Sequence, residues 1–490
     1  MASHAGPTVA QVQQEFQDVI RYVTGPEAAG STAYEVEGVL FRRLLALGLS
    51  LLRLFFVTRA AERPSAPRAD PGGPRWTAHG RRPATYRSVF GKRTFARHAC
   101  WAPGRPMAYP LDAHLSLPAD CSSDLLRAWA AYGSADAAYR ETQALLARIL
   151  GQTVSVQALE TSLTSDAAAV AAFWERPADP DDPVPLGSLL VAQADGKGVP
   201  IVLPARAARP ARRGTGHPPD AKREAVVTAL STIAPYPRTP QDVVAALLRE
   251  ADDPARPARP RPVGKEVRAG LDGKDAALSR LARRAAQREH AAVQHRVALT
   301  DGADAVQQRM RTHLPGFTPV LDIIHAGEYL WAVANALLGE RHPERTAWMR
   351  RHLEQVLSGQ TAAAIVALEA ALADPAVTPG QGAVVRKALG SYRRNLPFMR
   401  DDEYLARGWP IGTGVVEGAC GHLVKDRMEQ AGMRRTKAGA QAVLDLRAVR
   451  LTGAWDASWQ FHRRHRHQRL YGTMTDLPAN PEAQFLEPAA

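Results

Sequence analysis

The sequence predicts a mixed α/β, multidomain chain, and three observations carry that expectation. Its 490 residues exceed one ordinary domain, so two to four units are expected, each long enough to bury a core. Between residues 183 and 325, short apolar runs bounded by turn residues read as strands. The stretches on either side carry apolar residues at helical spacing. Because the strands are first adjacent and then alternate with helical segments, a sheet covered by helices is the expected core.

From the start of the chain, residues 1 to 62 read as helices. The run "GVLFRRLLALGLSLLRLFFV" (38 to 57) is interrupted by Arg42, Arg43 and Arg53, which predicts an amphipathic packed helix rather than a membrane span. It begins too far from Met1 for a secretory signal, so a cytoplasmic protein without a membrane partner is expected. Residues 63 to 85, rich in Pro, Gly and Arg, read as a linker.

Residues 86 to 182 predict a small hairpin around Gly91 and then three helices. Ser122 or Ser123 caps the first helix and Gly133-Ser134 breaks it. Gly151 ends the second, and Ser155 caps the third. Helix, glycine turn, helix is the outline of a helix-turn-helix, and equally that of a plain helical hairpin. If the unit reads DNA, Gln157 and Thr161 on its second helix are the candidates for base contacts.

In the strand-rich part, "SLLVAQADGKGVPIVLP" reads as a hairpin with Asp195 ending its first strand, followed by strands over 224–236, 296–304 and 317–324. An all-helical insertion is expected over 326–408. The α/β domain then resumes over 409–452, before a basic tail, 453–490.

Formal charge is +13, with 62 Lys and Arg against 49 Asp and Glu. Such a field favours phosphate polyanions or an anionic membrane surface. Cations concentrate in "PARAARPARRGTGHPPDAKR" (204 to 223, with Arg212 and Arg213), "RRAAQREH" (283 to 290) and "WQFHRRHRHQRL" (459 to 470). Lys425, Arg427, Arg434 and Arg435 form a further group of candidate DNA contacts. His462, His465 and His467 lack the Cys partners and spacing of a zinc site. Three widely spaced cysteines make neither a disulfide framework nor a structural zinc site.

Asp195 and Asp301 each precede a glycine at an expected strand end, and Glu417 opens a helix after "GTG". By spacing alone an Asp-Gly is usually a turn. Should the three acids converge, their repulsion needs a divalent cation, Mg²⁺ or Mn²⁺. Two such ions suit in-line displacement at phosphorus.

The segments "ADGKGVPIV", "KREAVVTALSTIAPYPRTPQDVVAALL", "ALTDGADAV", "LDIIHAGEYLWAVANALLG" and "GWPIGTGVVEGACGHLVKDRMEQAGMRR" resemble, in this order, those of ISKra-type bacterial insertion-sequence transposases of the Asp-Asp-Glu class. The similarity covers roughly residues 86 to 460. It implies a ribonuclease H-like core interrupted by the helical insertion, with metal-binding acids at Asp195, Asp301 and Glu417. It also marks Asp322 and His325, in "DIIH", as similar to an Asp-x-x-His element and so as an accessory pair; by chemistry alone the histidine is a hydrogen-bonded structural residue or one that Asp322 orients by accepting a ring N–H. The implied protein binds the inverted repeats of double-stranded DNA, cleaves and rejoins it with two Mg²⁺ ions, and works as a homodimer or larger assembly. A non-catalytic DNA-binding derivative and a nuclease on the same core are the alternatives. The chain departs from the pattern at Arg435, where many relatives carry Trp, and at Ala305 and Val306, where they carry an aromatic ring.

Overall fold

The computed structural model describes residues 7–61, 75–177, 184–185, 188–202, 222–250, 258–429 and 435–472. The fold is mixed α/β with two sheets, and the chain divides into two compact units, Met1–Phe173 with Trp455–Ala490 and Trp174–Ala454.

The first unit opens with helix Val9–Thr24, whose start is closed by a reciprocal Thr8–Gln11 capping box. The helix Ala33–Ala61 follows, with the Arg43 guanidinium 4.3 Å above the Tyr22 ring. At 29 residues it is long and apolar enough to cross a membrane by length and composition. The expected packed helix is found only in part. Leu47, Phe56 and Ala60 are buried, whereas Phe41, Leu44, Leu51 and Phe55 are exposed, because neighbours cover only part of its circumference. Phe56 anchors its last turns by stacking on Phe95, ring centroids 4.4 Å apart.

Strands β1 (Thr77–Ser88) and β2 (Gly91–Trp101) form the antiparallel hairpin expected around Gly91. It begins inside the stretch read as linker, since β2 pairs back as far as Thr77↔Trp101 despite Pro83. The helices Asp124–Asp136, Tyr139–Leu150 and Val156–Ala167 come next. Ser123 and Ser155 cap the first and third by accepting from Leu126 N and Ala158 N, and Gly151 ends the second at φ +65°. Gly133 does not break the first helix, which continues to Asp136. A Cβ there would lie 3.2 Å from Thr142 Cγ2, so the glycine permits close helix packing rather than a turn.

The C-terminal segment is not a separate tail. Helix Trp455–Tyr471 belongs to this unit: Arg466 Nη2 donates to Asp124 Oδ2 at 2.9 Å and Tyr471 Oη to Leu117 O at 2.6 Å. Arg466, His462 and His467 are buried, so part of the basic run read as a phosphate-contacting surface is interior structure.

In the second unit, β3 (Ser188–Pro200), β4 (Lys222–Ile233), β5 (Val263–Gly270), β6 (Val293–Thr300) and β7 (Thr318–Leu321) make one sheet in the order β5-β4-β3-β6-β7. β4 runs antiparallel to both β3 and β5, while β6 is parallel to β3 and β7 to β6. "SLLVAQADGKGVP" is one continuous strand, not a hairpin. Its glycines leave room for the neighbouring strand: a Cβ on Gly196 would meet Glu224 Oε1 at 2.5 Å, and one on Gly198 would meet Lys222 Cδ at 3.3 Å. β5 was not expected, because its charged Lys265, Glu266 and Arg268 hide the alternation of an edge strand.

Alternation along β3 feeds two cores. Leu190, Ala192 and Ala194 face helices Lys274–Gln287 and Asp304–His313. Leu189 and Val191 face the other way, into a larger core shared with helices Ile323–Leu338, Arg345–Leu357, Thr361–Ala373 and Pro379–Asn395. The segment over 326–408 is all-helical as expected, yet it continues the core of the sheet rather than standing apart. The basic run 283–290 is also structural: Arg283 bonds Glu175, Arg284 bonds Glu266, and Arg288 bonds Gly264 O.

Candidate active site

Three parallel strands each deliver an aspartate to one edge of the sheet, β6 and β7 where they end and β3 where it runs on past them. β3 and β6 pair only as far as Gln193↔Leu299; beyond that point β3 continues alongside β4 alone. Asp195 lies in this stretch, paired with Val227 of β4 but not with β6; Asp301 directly follows β6, and Asp322 directly follows β7. The crevice beyond the carboxyl ends of parallel strands is where α/β sheets bind ligands.

Glu417 arrives from helix Gly414–Ala419, which Gln193 of β3 fixes over the sheet by accepting from Val416 N at 2.9 Å. Asp195, Asp301, Asp322, His325, Glu328, Thr413 and Glu417 thus line one pocket of about 140 Å³. All three acids of the expected triad, and both accessory residues, are brought together.

Each acid is held by neutral donors. Asp195 accepts from Gly196 N at 2.5 Å and from the Cys420 thiol at 3.3 Å. Asp301 accepts from Ala303 N at 3.0 Å, in a turn that needs Gly302 at φ +85°, where a Cβ would strike Leu321 Cδ1 at 2.8 Å. Asp322 caps helix Ile323–Leu338 through Ile324 N and also receives Thr413 N at 3.3 Å.

Thr413 links the last two acids. Its hydroxyl lies 2.9 Å from Asp322 Oδ2 and 2.7 Å from Glu417 Oε1. One hydroxyl carries one proton, so when both contacts are hydrogen bonds one carboxyl must be protonated. Burial, with the Glu417 charge adding to it, pushes the Asp322 carboxyl up to about 6. Burial likewise raises Asp195, with Asp301 and Glu417 contributing repulsion against the hydrogen bonds from Cys420 and Gly196. In turn, burial and the Asp195 charge push the Cys420 thiol up, so it stays a neutral donor.

Among the described residues, no three His, Cys, Asp or Glu side chains are gathered into a ready-made metal-ligand set. The acids instead point at the donors just named. Even so, four hard oxygen ligands around one small pocket, two of them raised by burial, have the donor chemistry of a Mg²⁺ or Mn²⁺ site.

Other expected site residues fare differently. His325 lines the pocket, but its ring pairs with Glu328 (Nδ1 to Oε2, 3.4 Å) and meets Tyr329 edge-on. Asp322 does not orient it, being committed to the helix cap and Thr413. Gln157, Thr161 and Lys425 are exposed. Arg427 is completely buried and Arg435 is 7% exposed, which removes both as contacts for DNA approaching from solvent. Arg435 instead joins the interior, pairing through its backbone with Val202 N at 2.7 Å. Arg212, Arg213 and Arg434 lie outside the described residues. Val306 is buried in the core and Ala305 is exposed.

Sequence reasoning missed Thr413, Cys420 and Gln193. The first two sit in the quoted Glu417 segment, and Gln193 precedes Asp195 by two residues on the same face of β3. After Glu417 the helix widens into a π-helix over Cys420–Lys425, a rare form that concentrates at functional sites. A scan against protein-family models finds none that matches this chain, and no curated protein matches its sequence.

Proposed function

We propose that the chain is a DNA transposase of an insertion sequence, cleaving and rejoining double-stranded DNA with divalent metal. The observation that carries this reading is the meeting of Asp195, Asp301 and Glu417, far apart in sequence, on one pocket at the carboxyl edge of the parallel strands. The strand order β5-β4-β3-β6-β7, with three antiparallel and then two parallel strands, agrees with a ribonuclease H-like core.

In this reading Asp195 and Asp301 hold two Mg²⁺ ions and Glu417 completes the set from its helix. When bound, the ions would supply charge stabilisation to the attacking and leaving oxygens at phosphorus. Thr413 keeps the Glu417 and Asp322 carboxyls at fixed separation, and Gln193 anchors the helix that carries Glu417. Cys420 donates its thiol hydrogen to Asp195 and sets that carboxylate's orientation. His325 lines the same pocket with its Nδ1 beside Glu328, and in this reading its Nε2 would donate to a phosphate oxygen. In this reading a homodimer or larger assembly handles the two DNA ends together.

The test is cleavage of a plasmid carrying the DNA on either side of the gene, with Mg²⁺ or Mn²⁺. Discrete metal-dependent cuts that disappear in Asp301→Asn and Glu417→Gln are expected. Binding without any cut would instead make the chain a non-catalytic DNA-binding derivative, and cuts at no particular end would make it a nuclease.

A further inference from the structure

The hairpin β1–β2 lacks acids altogether. Its strands, "TAHGRRPATYRS" and "GKRTFARHACW", contain Arg81, Arg82, Arg87, Lys92, Arg93 and Arg97 and no Asp or Glu. Register makes the imbalance worse, because Arg87 stands directly opposite Lys92 and Arg82 opposite Arg97. Like charges facing each other across strands destabilise a sheet. Of the six cations, Arg97 is neutralised by an ion pair with Asp112. Among the described residues, Arg81, Arg82, Arg87, Lys92 and Arg93 have no carboxylate within ion-pair distance.

This unneutralised hairpin forms one wall of a cleft of about 480 Å³ in the same unit. Thr85, Arg87 and Lys92 line that side, while Ser155, Gln157 and Thr161 line the other, on helix Val156–Ala167 and its cap. Gln157 and Thr161, four residues apart, share one exposed helix face. The one acid in the lining, Asp120, is bonded to Arg127 and Ser122 N. The cleft is therefore cationic on the hairpin side and neutral but rich in hydrogen-bonding groups on the helix side.

We propose that hairpin and helix act together as a duplex-DNA clamp, with one strand's phosphates seated in the cleft against Arg87 and Lys92 while Gln157 and Thr161 face base edges. The proposal rests on the reading of the chain as a DNA-handling protein. Phosphate contacts set position and salt dependence, whereas side-chain amides and hydroxyls discriminate bases. Repulsion between Arg87 and Lys92 is then relieved when the polyanion binds.

The experiment uses the full chain and fluorescently labelled duplexes tiled across the DNA flanking the gene, with binding followed by anisotropy over a salt series. Arg87→Gln with Lys92→Gln is expected to weaken every duplex about tenfold or more and to flatten the slope of log K against log salt by about 2. Its thermal midpoint should stay level or rise, because the cross-strand repulsion is gone. Lys92→Gln alone, at an exposed position, should flatten the slope by about 1. Gln157→Ala should erase preference among duplexes while keeping the wild-type salt slope.

Unchanged affinity and slope in both hairpin variants, with wild type binding well, would overturn the clamp and leave the transposase reading intact. Wild type that binds no duplex at all would overturn that reading. Equal binding of duplex RNA, lost in the same variants, would overturn the assignment to DNA.

Discussion

Two clusters of buried or half-buried acids, one in each unit, are built in opposite ways. In the first unit Asp166 is buried beside one cation: Arg127 donates to it through Nε at 3.1 Å and also through Nη2, and the His462 ring Nε2 stands 3.5 Å away. Burial still pushes Asp166 up to about 6 and His462 down to about 4. In the second unit Asp195, Asp301, Asp322 and Glu417 share one pocket, and their hydrogen bonds come from backbone N–H groups, a hydroxyl and a thiol. An acid given its own arginine ties helices together. Acids held beside one another by neutral groups keep an unspent charge, which only an incoming cation or proton compensates.

The contrast can be broken most severely at Arg127. Arg127→Ala leaves Asp166 buried without its main cation, and a loss of about 3–5 kcal/mol is expected in denaturant unfolding. Replacing Asp166 and Arg127 together by apolar residues should cost far less, and an equal loss would show that the pair is not what matters. On the other side, saturating Mg²⁺ should raise the unfolding midpoint of wild type. Ligand at a hundredfold above its dissociation constant contributes about 2.7 kcal/mol. Calorimetry on Asp301→Asn should show that gain abolished.

A third test uses pH without metal. Asp322 is raised from 3.8 to about 6, so between roughly pH 4 and 6 the folded chain keeps a proton that the unfolded chain releases. The contribution of this group to stability therefore falls as pH rises through that window. Asp322→Asn, which can still cap the helix, should stabilise the protein by on the order of 2 kcal/mol at pH 8 and by almost nothing near pH 4. A gain independent of pH would sink the explanation. The smallest effect lies outside both clusters: Ser155→Ala removes a cap on the helix carrying Gln157 and should cost about 1 kcal/mol.

The acids of the site stood out by their glycine contexts, which by themselves read as turns; it was the resemblance to the transposase segments that implied they belong together. Asp301 precedes Gly302, whose left-handed φ and contact with Leu321 forbid a side chain, and Glu417 follows the glycines that begin a short helix. Asp195 was also found, although for a partly mistaken reason, since "DGKG" is strand rather than turn. Glycine in a sequence reports either a turn or a close neighbour, and Gly133, Gly196 and Gly198 belong to the second kind. The basic runs misled in the same way. Local charge density does not show which arginines have carboxylates waiting in distant segments, as Arg284 has Glu266 and Arg466 has Asp124.

By itself the sequence determined the kinds of element and most of their order: the capped helices, the strand-rich middle, the helical segment over 326–408 and Asp301 at a strand end. Those follow from periodicity and from cap and turn chemistry, which act over a few residues. Only the tertiary structure decided which strand lies beside which, that Thr413 bridges Asp322 and Glu417, that Arg427 is interior, and that, among the described residues, five of the hairpin's six cations have no carboxylate within ion-pair distance while Arg97 has Asp112. These depend on contacts between residues tens to hundreds of positions apart, and burial and charge pairing exist only once those contacts form.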